Sequence, residues 1–144
     1  MSSNSSVFTT NSAEETIALG HHLSTLLPPQ GPVLLIGNLG AGKTTMVKGL
    51  AEARGAATPE EVSSPTFPLI HEYGDPPRLF HIDLYRLDTV QEVLTLGLDE
   101  YLDRRALTVI EWGERFPSLW PTNTPTILLE HLGEDRRRIT LTTR

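Results

Sequence analysis

The segment GNLGAGKTT, residues 37–45, determines what kind of domain this chain can form. It fits the pattern G-x-x-x-x-G-K-[ST], in which glycines let backbone N–H groups face the oxygens of a phosphate. The apolar residues 33–36 precede it, and residues 44–54 follow with apolar side chains at helical spacing. A buried strand, a glycine-rich loop and a helix in this order predict a phosphate-binding loop in an α/β domain.

Two side chains of this segment are expected to act on a nucleotide. Lys43 should reach the β- and γ-phosphates, and the Thr44 hydroxyl should bind Mg²⁺. GTPases usually read guanine through an N-K-x-D motif downstream of the loop, but no lysine follows Lys48. The sequence therefore favours ATP as the nucleotide.

Length and composition restrict the remaining classes of protein. A chain of 144 residues predicts a single domain spanning residues 1–144. Its net charge of −6 argues against direct adhesion to DNA or other nucleic acid, which needs clustered cationic side chains. It has no cysteine, no apolar run near the roughly 18 residues of a membrane span, and no N-terminal pattern of a secretory signal. We therefore expect a cytoplasmic protein without a membrane partner.

The other elements are predicted from capping residues, apolar periodicity and turn residues. Ser12 with Glu15 forms a capping box that opens a helix ending before Pro28, and residues 1–10 are expected to be a frayed tail or an edge strand. Further along, the patterns predict a hairpin (67–73 and 78–85), a helix over 89–102 interrupted at Gly97, a buried strand over 106–110, and a terminal hairpin (126–132 and 137–142). Together these elements predict a single P-loop NTPase domain of the α/β class, with a mixed, mostly parallel central sheet flanked by helices and with β-hairpins.

Two predicted strands end in a carboxylate, which a P-loop domain needs beside the phosphates to hold hydrated Mg²⁺ or to position water. One strand ends at Asp83 and the other at Glu111. At least one of them should face the phosphates, and the residue types alone leave their roles open. Trp112 follows Glu111 and is compatible either with stacking on a base or with a place in the core. His81 is interpreted as a structural histidine rather than a base or a ligand.

Four motifs occur in a fixed order, namely GNLGAGKTT, then SPTF at 64–67, HIDLYR at 81–86 and IEW at 110–112. In order and spacing they resemble the TsaE family (formerly YjeE), the small bacterial P-loop ATPases of tRNA threonylcarbamoyladenosine biosynthesis. The resemblance covers residues 10–112 well and the C-terminal hairpin weakly. Asn38 departs from the family, where aspartate is usual. Because the backbone of this loop does the binding, we expect a tuned site rather than a lost one.

The resemblance implies a role for each site residue. Lys43 and Asp83 would be catalytic, with Asp83 required for hydrolysis, and Thr44 and Glu111 would form the Mg²⁺-linked pair. Trp112 would lie against the adenine, and a switch-like segment at 64–67 would sense the γ-phosphate through Thr66. The full set of implied nucleotide contacts is Ser12, Gly40, Ala41, Gly42, Lys43, Thr44, Thr45, Thr66, Trp112 and an arginine of the last strand, for which we take Arg138 although positions 136 and 137 are equally eligible.

The resemblance also implies cofactors and partners. The chain would use ATP, ADP and Mg²⁺, and it would dock on a complex of TsaD and TsaB that performs the modification. It would therefore meet tRNA only indirectly, through the complex, and its hydrolysis would be slow without these partners. Two alternatives stay open. One is a small-molecule P-loop kinase, although the chain leaves little room for an arginine-rich lid, and the other is a binding module that senses nucleotide without hydrolysing it.

Overall fold

The strand that precedes the phosphate loop lies at the centre of a seven-stranded sheet in a computed structural model, which describes residues 4–38, 40–65 and 69–143. Along the chain, the strands are β1 (Asn4–Thr10), β2 (Gly31–Ile36), β3 (Ile70–Tyr73), β4 (Leu79–Asp83), β5 (Leu107–Glu111), β6 (Thr126–Gly133) and β7 (Arg136–Thr143). The α-helices are α1 (Ala13–Leu26), α2 (Lys43–Ala53), α3 (Val90–Leu94) and α4 (Leu98–Leu102). Short 3₁₀ turns occupy Pro59–Glu61, Gly113–Arg115 and Pro117–Leu119.

The strand order across the sheet is β1-β7-β6-β2-β5-β4-β3. Strand β2 pairs in parallel with both β5 and β6, and β4 pairs in parallel with β5. The hairpins β3–β4 and β6–β7 are antiparallel, as is the pairing of β1 with β7. The α/β class with a mixed sheet flanked by helices is therefore confirmed. The expectation of a mostly parallel sheet is corrected to an even mixture, because the hairpins and the first strand add antiparallel pairings at both edges.

Residues 4–10 form the edge strand β1 instead of a frayed tail. The strand runs antiparallel to β7, with Asn4 opposite Thr143 and Thr10 opposite Arg137. Of the two expectations for the start of the chain, the edge strand is therefore the one that the described residues adopt.

Helix α1 begins as the capping pattern predicts. The Oγ of Ser12 accepts the N–H of Glu15 at 3.1 Å. The Glu15 carboxylate reaches back to the N–H of Asn11 at 2.9 Å, one residue before the position that a standard capping box uses. Two of the amides at the entrance to the helix are thereby satisfied by side chains.

Helices cover both faces of the sheet, which explains why β2 is apolar along its length. Successive side chains of a strand point to opposite faces. Val33 and Leu35 pack with α1 and α2, whereas Leu34 packs on the other face with α3 and α4. Strand β5 is divided in the same way, with Val109 on the first face and Ile110 on the second.

Helices α1 and α2 touch backbone to backbone. A Cβ atom on Gly20 would lie 2.8 Å from Cα of Gly49, and one on Gly49 would lie 2.3 Å from the carbonyl oxygen of Ile17. Because carbon atoms do not approach that closely without displacement of the backbone, glycine is required at both positions. The contact fixes α2, which opens at the phosphate loop, against α1.

The predicted helix over 89–102 is divided at Gly97, as the interruption indicated. Gly97 has a φ of 69° and precedes α4, while α3 starts at a capping box formed by Thr89 and Glu92. In the predicted hairpin, β3 starts at Ile70, and residues 66–68 lie outside the described part of the chain. None of the helices in the described ranges is long and apolar enough to cross a membrane.

Candidate functional site

The phosphate-loop segment joins β2 to α2, as the sequence predicts. Gly40 and Gly42 have φ values of 81° and 98°, in the left-handed region that favours glycine. Gly42 caps α2, and the first turn of the helix closes with the N–H of Met46 donating to the Gly42 carbonyl at 3.0 Å. The amides of residues 43–45 precede this bond and have no carbonyl within the helix to bind. Together with the helix dipole they form a site that attracts an anion.

Strands β4 and β5 bring a cluster of polar side chains to this loop, where a cleft of about 340 Å³ opens. The residues that line the cleft are Gly40, Gly42, Lys43, Thr44, Thr45, Ser64, Asp83, Tyr85, Glu111, Trp112 and Arg137. Most of the site residues that the sequence singled out therefore share one cleft, although the phosphate loop, Asp83 and the pair Glu111 and Trp112 lie far apart in the chain.

Lys43 and Glu111 form a buried ion pair in this cleft. Nζ of Lys43 lies 3.4 Å from Oε1 of Glu111, and the two side chains are only 7% and 4% exposed. The other carboxylate oxygen, Oε2, contacts Nε2 of His81, which is fully buried in β4. Burial by itself raises the pKa of Glu111, but the hydrogen bond from His81 and the charge of Lys43 oppose it, and the net effect holds that pKa below its usual value. Glu111 is thus kept as a carboxylate between two groups that favour its charge.

Asp83 lies beside Glu111, because β4 and β5 are parallel and the two residues are paired in register. Its side chain is partly buried, and Oδ1 accepts the N–H of Tyr85 at 2.9 Å. Burial raises the pKa of Asp83; the hydrogen bond from Tyr85 opposes this effect, the charge of Glu111 adds to it, and the net shift is upward. A carboxylate with a raised pKa in a cleft has the property expected of a general base.

Trp112 has a left-handed backbone conformation, with a φ of 65°, which is uncommon for a large side chain. Its ring lies 4.4 Å from Nζ of Lys43, and its centroid lies 5.1 Å from that of Tyr85. Trp112 also lines a second cleft, of about 360 Å³, which is formed with β6 and to which Ala41 belongs. The ring therefore lies beside the phosphate loop, and its contact with adenine stays a prediction.

Arg138 is not brought into the cleft. Its Nε and Nη2 bind the two carboxylate oxygens of Glu130 on the neighbouring strand, each at 3.1 Å. The side chain of Arg137 donates instead to the phosphate loop, from Nε to the Ala41 carbonyl at 3.0 Å and from Nη2 to the Gly40 carbonyl at 3.4 Å. Consecutive side chains of a strand point to opposite faces. The arginine of the last strand that lines the cleft is therefore Arg137, in place of Arg138.

Two further residues of the predicted site, Ser12 and Thr66, are not among those that line the main cleft. Ser12, with Thr45 and Arg137, lines a smaller adjoining cleft of about 60 Å³. Thr66 lies outside the described residues, so its contact with the γ-phosphate stays a prediction. Ser64, from the same SPTF motif, lines the main cleft.

Lys48 is a residue that sequence reasoning missed. Its Nζ donates to the carbonyl oxygens of Pro59 at 2.6 Å and Val62 at 3.0 Å. The N–H of Ser63 donates to Oη of Tyr73 at 3.3 Å. These two side chains hold the segment that leads into the SPTF motif against α2 and β3. The only indication in the sequence was that this chain has just two lysines.

A central strand, a glycine-rich loop and a helix, with carboxylates at the ends of two nearby strands, have the arrangement of the P-loop class of α/β domain. Within this class the chain belongs to the TsaE family. The family model described as "Threonylcarbamoyl adenosine biosynthesis protein TsaE" matches residues 10–139. The family takes part in the biosynthesis of tRNA threonylcarbamoyladenosine.

Individual relatives are similar over nearly the whole chain. The "tRNA threonylcarbamoyladenosine biosynthesis protein TsaE" of Treponema pallidum (strain Nichols) is 41% identical over 130 residues, which are 90% of this chain and 95% of that protein. The protein of the same name from Bacillus subtilis (strain 168) is 38% identical over 130 residues, 90% of this chain and 80% of that protein. The solved structure "Crystal structure of Bacillus subtilus YdiB" matches with a TM-score of 0.76 at 31% identity, covering 99% of this chain and 88% of that one. The resemblance seen in the motifs is thereby confirmed.

Proposed function

We propose that this chain is an ATPase that hydrolyses ATP to ADP and phosphate in the cleft beside the phosphate loop. In this proposal it serves the machinery that makes N6-threonylcarbamoyladenosine in tRNA, works with the TsaD–TsaB complex in the cytoplasm, and meets tRNA through that complex. The observation that carries the ATPase proposal is the convergence of Lys43, Asp83 and Glu111 on one cleft at the start of α2. Family membership supports the link to tRNA modification.

The phosphate loop fits the triphosphate of ATP as a substrate. The amides of residues 43–45 and the dipole of α2 supply partial positive charge, and Lys43 supplies a full one. The 3.4 Å contact of Lys43 with Glu111 is longer than the roughly 2.7–2.9 Å of a strong charge-assisted hydrogen bond. The lysine can therefore exchange this partner for phosphate oxygens at little cost.

The same cleft suits Mg²⁺ that enters with the nucleotide. Mg²⁺ prefers oxygen ligands and commonly uses one or two protein groups together with substrate phosphates. The Thr44 hydroxyl and the Glu111 carboxylate are such groups, and both line the cleft. The described ranges contain no set of three or more His, Cys, Asp or Glu side chains that could hold a metal by themselves. When bound, the ion would neutralise charge on the β- and γ-phosphates.

Asp83 is proposed to position and deprotonate the attacking water. The water oxygen forms a bond to the γ-phosphorus, the bond from this phosphorus to the oxygen that bridges it to the β-phosphate breaks, and the proton of the water passes to Asp83 and then to the released phosphate. The raised pKa of Asp83 supports this role, since it increases the affinity of the carboxylate for that proton. Lys43 would stabilise the negative charge that develops on the bridging oxygen.

The remainder of the nucleotide is proposed to contact groups around the cleft. Thr45, Ser12 and Arg137 line the small cleft that adjoins the phosphate loop, so they are available to the nucleotide beyond its terminal phosphates. Trp112 offers an aromatic ring at the wall of the main cleft and is proposed to lie against the adenine. Arg137 takes the role that the sequence had given to Arg138.

Two features support a partner-dependent activity. Hydrolysis of ATP by itself modifies no tRNA, so a family engaged in that biosynthesis needs other proteins to use its ATPase. The net charge of −6 also disfavours direct binding of tRNA, whose phosphates attract cationic surfaces. Docking on TsaD–TsaB is proposed to complete the site and to raise a slow basal rate.

Phosphate release from ATP tests this proposal. It should be measured with Mg²⁺ for the purified chain, alone and with the TsaB–TsaD pair, and for the variants Asp83→Asn and Asp103→Asn. We expect stimulation by the pair and a loss of about 100-fold or more in kcat for Asp83→Asn, with little change in nucleotide affinity. Asp103→Asn removes the same charge at an exposed position and should leave the rate unchanged.

The same assay separates the two alternatives. Consumption of ATP without release of phosphate, in the presence of a small acceptor, would favour the kinase. ATP that stays intact after long incubation with the partners would favour the nucleotide-sensing module. Phosphate release that Asp83→Asn leaves unchanged would show that Asp83 is not the hydrolytic carboxylate.

A further inference from the structure

His81 is fully buried in β4 and contacts Glu111, yet it does not line the cleft. It precedes Asp83 by two positions, and side chains two apart on a strand lie on one face. Both therefore face α2, and the neighbouring strand β5 brings the Glu111 carboxylate within reach of Nε2 of His81. The side-chain contact through which His81 reaches the cleft is therefore the one with Glu111.

The second nitrogen of the ring shows how His81 binds Glu111. Nδ1 has no hydrogen-bond partner within the described ranges of the chain. In a neutral imidazole, one nitrogen carries a proton and the other a lone pair. A proton on Nδ1 alone would leave a buried N–H unsatisfied and would turn the lone pair of Nε2 toward a carboxylate, and both are unfavourable. Nε2 therefore carries the proton and donates to Oε2 of Glu111.

We propose that His81 is a positioning residue for Glu111, whose Oε2 it fixes so that Oε1 faces Lys43 and the cleft. The proposal rests on the proposed function, because it concerns the carboxylate that is linked there to Mg²⁺. The terminal torsion of a glutamate is broad, so a carboxylate without a fixed partner samples many orientations. A buried donor on one oxygen removes this freedom and leaves the other oxygen in one place.

Hydrogen-bond partners of metal-binding carboxylates affect the metal more than the rest of the substrate, and their loss commonly costs 10–100-fold in metal affinity or activity. If His81 only stabilised the core, its substitution would alter the thermal stability but would leave the dependence of nucleotide affinity on Mg²⁺ unchanged. The ratio of nucleotide affinities with and without Mg²⁺ therefore distinguishes a positioning role from a structural one.

Substitution of His81 by glutamine and by asparagine, which both carry a side-chain amide, tests this proposal. In His81→Gln the amide nitrogen reaches about as far as Nε2, whereas in His81→Asn it stops near the position of Nδ1. Affinity for a fluorescent ADP analogue should be measured in EDTA and over a series of Mg²⁺ concentrations, with thermal unfolding of each variant alongside. If His81→Asn does not fold, His81→Leu takes its place as a variant of similar size without a donor.

Mg²⁺ is expected to increase the affinity for the ADP analogue, and we expect His81→Asn to raise the Mg²⁺ concentration at which half of this increase is reached by about 10–100-fold. The affinity of this variant for the analogue in EDTA should stay within about twofold of the wild type. His81→Gln should stay close to the wild type in both measurements. Equal shifts in the two variants, or a loss in EDTA as large as the loss with Mg²⁺, would overturn the positioning role. A wild-type chain that gains no affinity from Mg²⁺ would overturn the proposed function itself, and this is a separate outcome.

Discussion

The guanidinium of Arg137 donates to the carbonyl oxygen of Ala41 at 3.0 Å, although 96 positions separate the two residues in the chain. The peptide unit is planar and trans, so the N–H that follows this carbonyl, that of Gly42, points away from Arg137. The last strand thus fixes the orientation of a peptide in the phosphate loop from outside. A hairpin that carries no recognisable motif is in this way part of the site.

Truncation of Arg137 should weaken nucleotide binding. Hydrogen bonds that involve a charged group contribute about 1.5–3 kcal/mol each, so Arg137→Met should reduce the affinity for ADP or ATP by about tenfold or more. Arg138→Met is the matched control, because Arg138 is held in an exposed ion pair with Glu130, which is worth about 1 kcal/mol or less. Fluorescence titration with a labelled nucleotide measures both. A larger loss in the control than in Arg137→Met would contradict the assignment.

The choice between these arginines was accessible from the sequence. Ile139 and Leu141 are apolar and alternate along the last strand, so they mark its buried face. Arg137 has the same parity as these two residues, whereas Arg138 has the opposite one. Applying this alternation to the arginine run would have selected Arg137. The four family motifs end at residue 112, before this strand, so they do not discriminate between the two arginines.

Close packing of α1 against α2 makes Gly49→Ala destabilising. Alanine is favoured over glycine in a helix interior by about 1 kcal/mol, which by itself would stabilise the protein. The added Cβ would lie 2.3 Å from a backbone oxygen, however, and overpacking of this kind costs about 1–3 kcal/mol. We expect a net loss in the free energy of unfolding, measured by denaturant titration. The control Ala18→Ser adds one heavy atom at an exposed site of α1 and should change the free energy of unfolding little. A Gly49→Ala variant more stable than the wild type would show that the helices separate easily.

Loss of the Lys48 side chain should release the segment before the SPTF motif. In Lys48→Met the carbonyls of Pro59 and Val62 lose their charged donor, so we expect amide hydrogen exchange over residues 59–64 to accelerate about tenfold or more. Arg54→Met is the matched control, since Arg54 holds the carbonyls of Pro28 and Pro29 at the other end of α2. The Arg54→Met variant should loosen the Pro28 turn and leave the amide hydrogen exchange of residues 59–64 unchanged. Acceleration over 59–64 in both variants would point to general loosening.

Asp83→Asn should stabilise the protein at neutral pH while it abolishes hydrolysis. Burial raises the pKa of Asp83, so the folded state binds this proton more tightly than the unfolded state does. The free energy of unfolding therefore falls as pH rises from the ordinary aspartate pKa, about 3.9, to the raised one, and it stays lower above that window. Asparagine does not ionise, so the Asp83→Asn variant does not lose this part of the free energy of unfolding. Its Tm should exceed that of the wild type by a few degrees at neutral pH, and the difference should vanish below the ordinary pKa.

The exposed substitution Asp103→Asn controls for loss of one negative charge and should show no such crossover. Calorimetry or circular dichroism over about pH 3–8, a range that extends about one unit below and about four units above the ordinary aspartate pKa, measures the three curves. An Asp83→Asn variant less stable than the wild type at neutral pH would mean that the carboxylate contributes to folding.

Much of the fold followed from local patterns, whereas the partners within the site did not. The pattern of residues 33–45 was sufficient for β2, the phosphate loop and the start of α2, because each step depends on neighbouring residues. That His81 binds Glu111 depends on β4 lying directly beside β5, and the order of strands in a sheet is not written in any one segment. The role of Lys48 was hidden for the same reason, since its acceptors are backbone carbonyls of a loop without a motif.

The contact of Gly20 with Gly49 also has a mechanical consequence. Two helices that meet without side chains between them have nothing compressible at the point of contact, so they behave as a single strut. α2 runs for 11 residues, roughly 16 Å, from the phosphate loop to Arg54, which is hydrogen-bonded to the Pro28 turn. A displacement of the loop end of α2 would therefore be expected to move α1 and the Pro28 turn together with it.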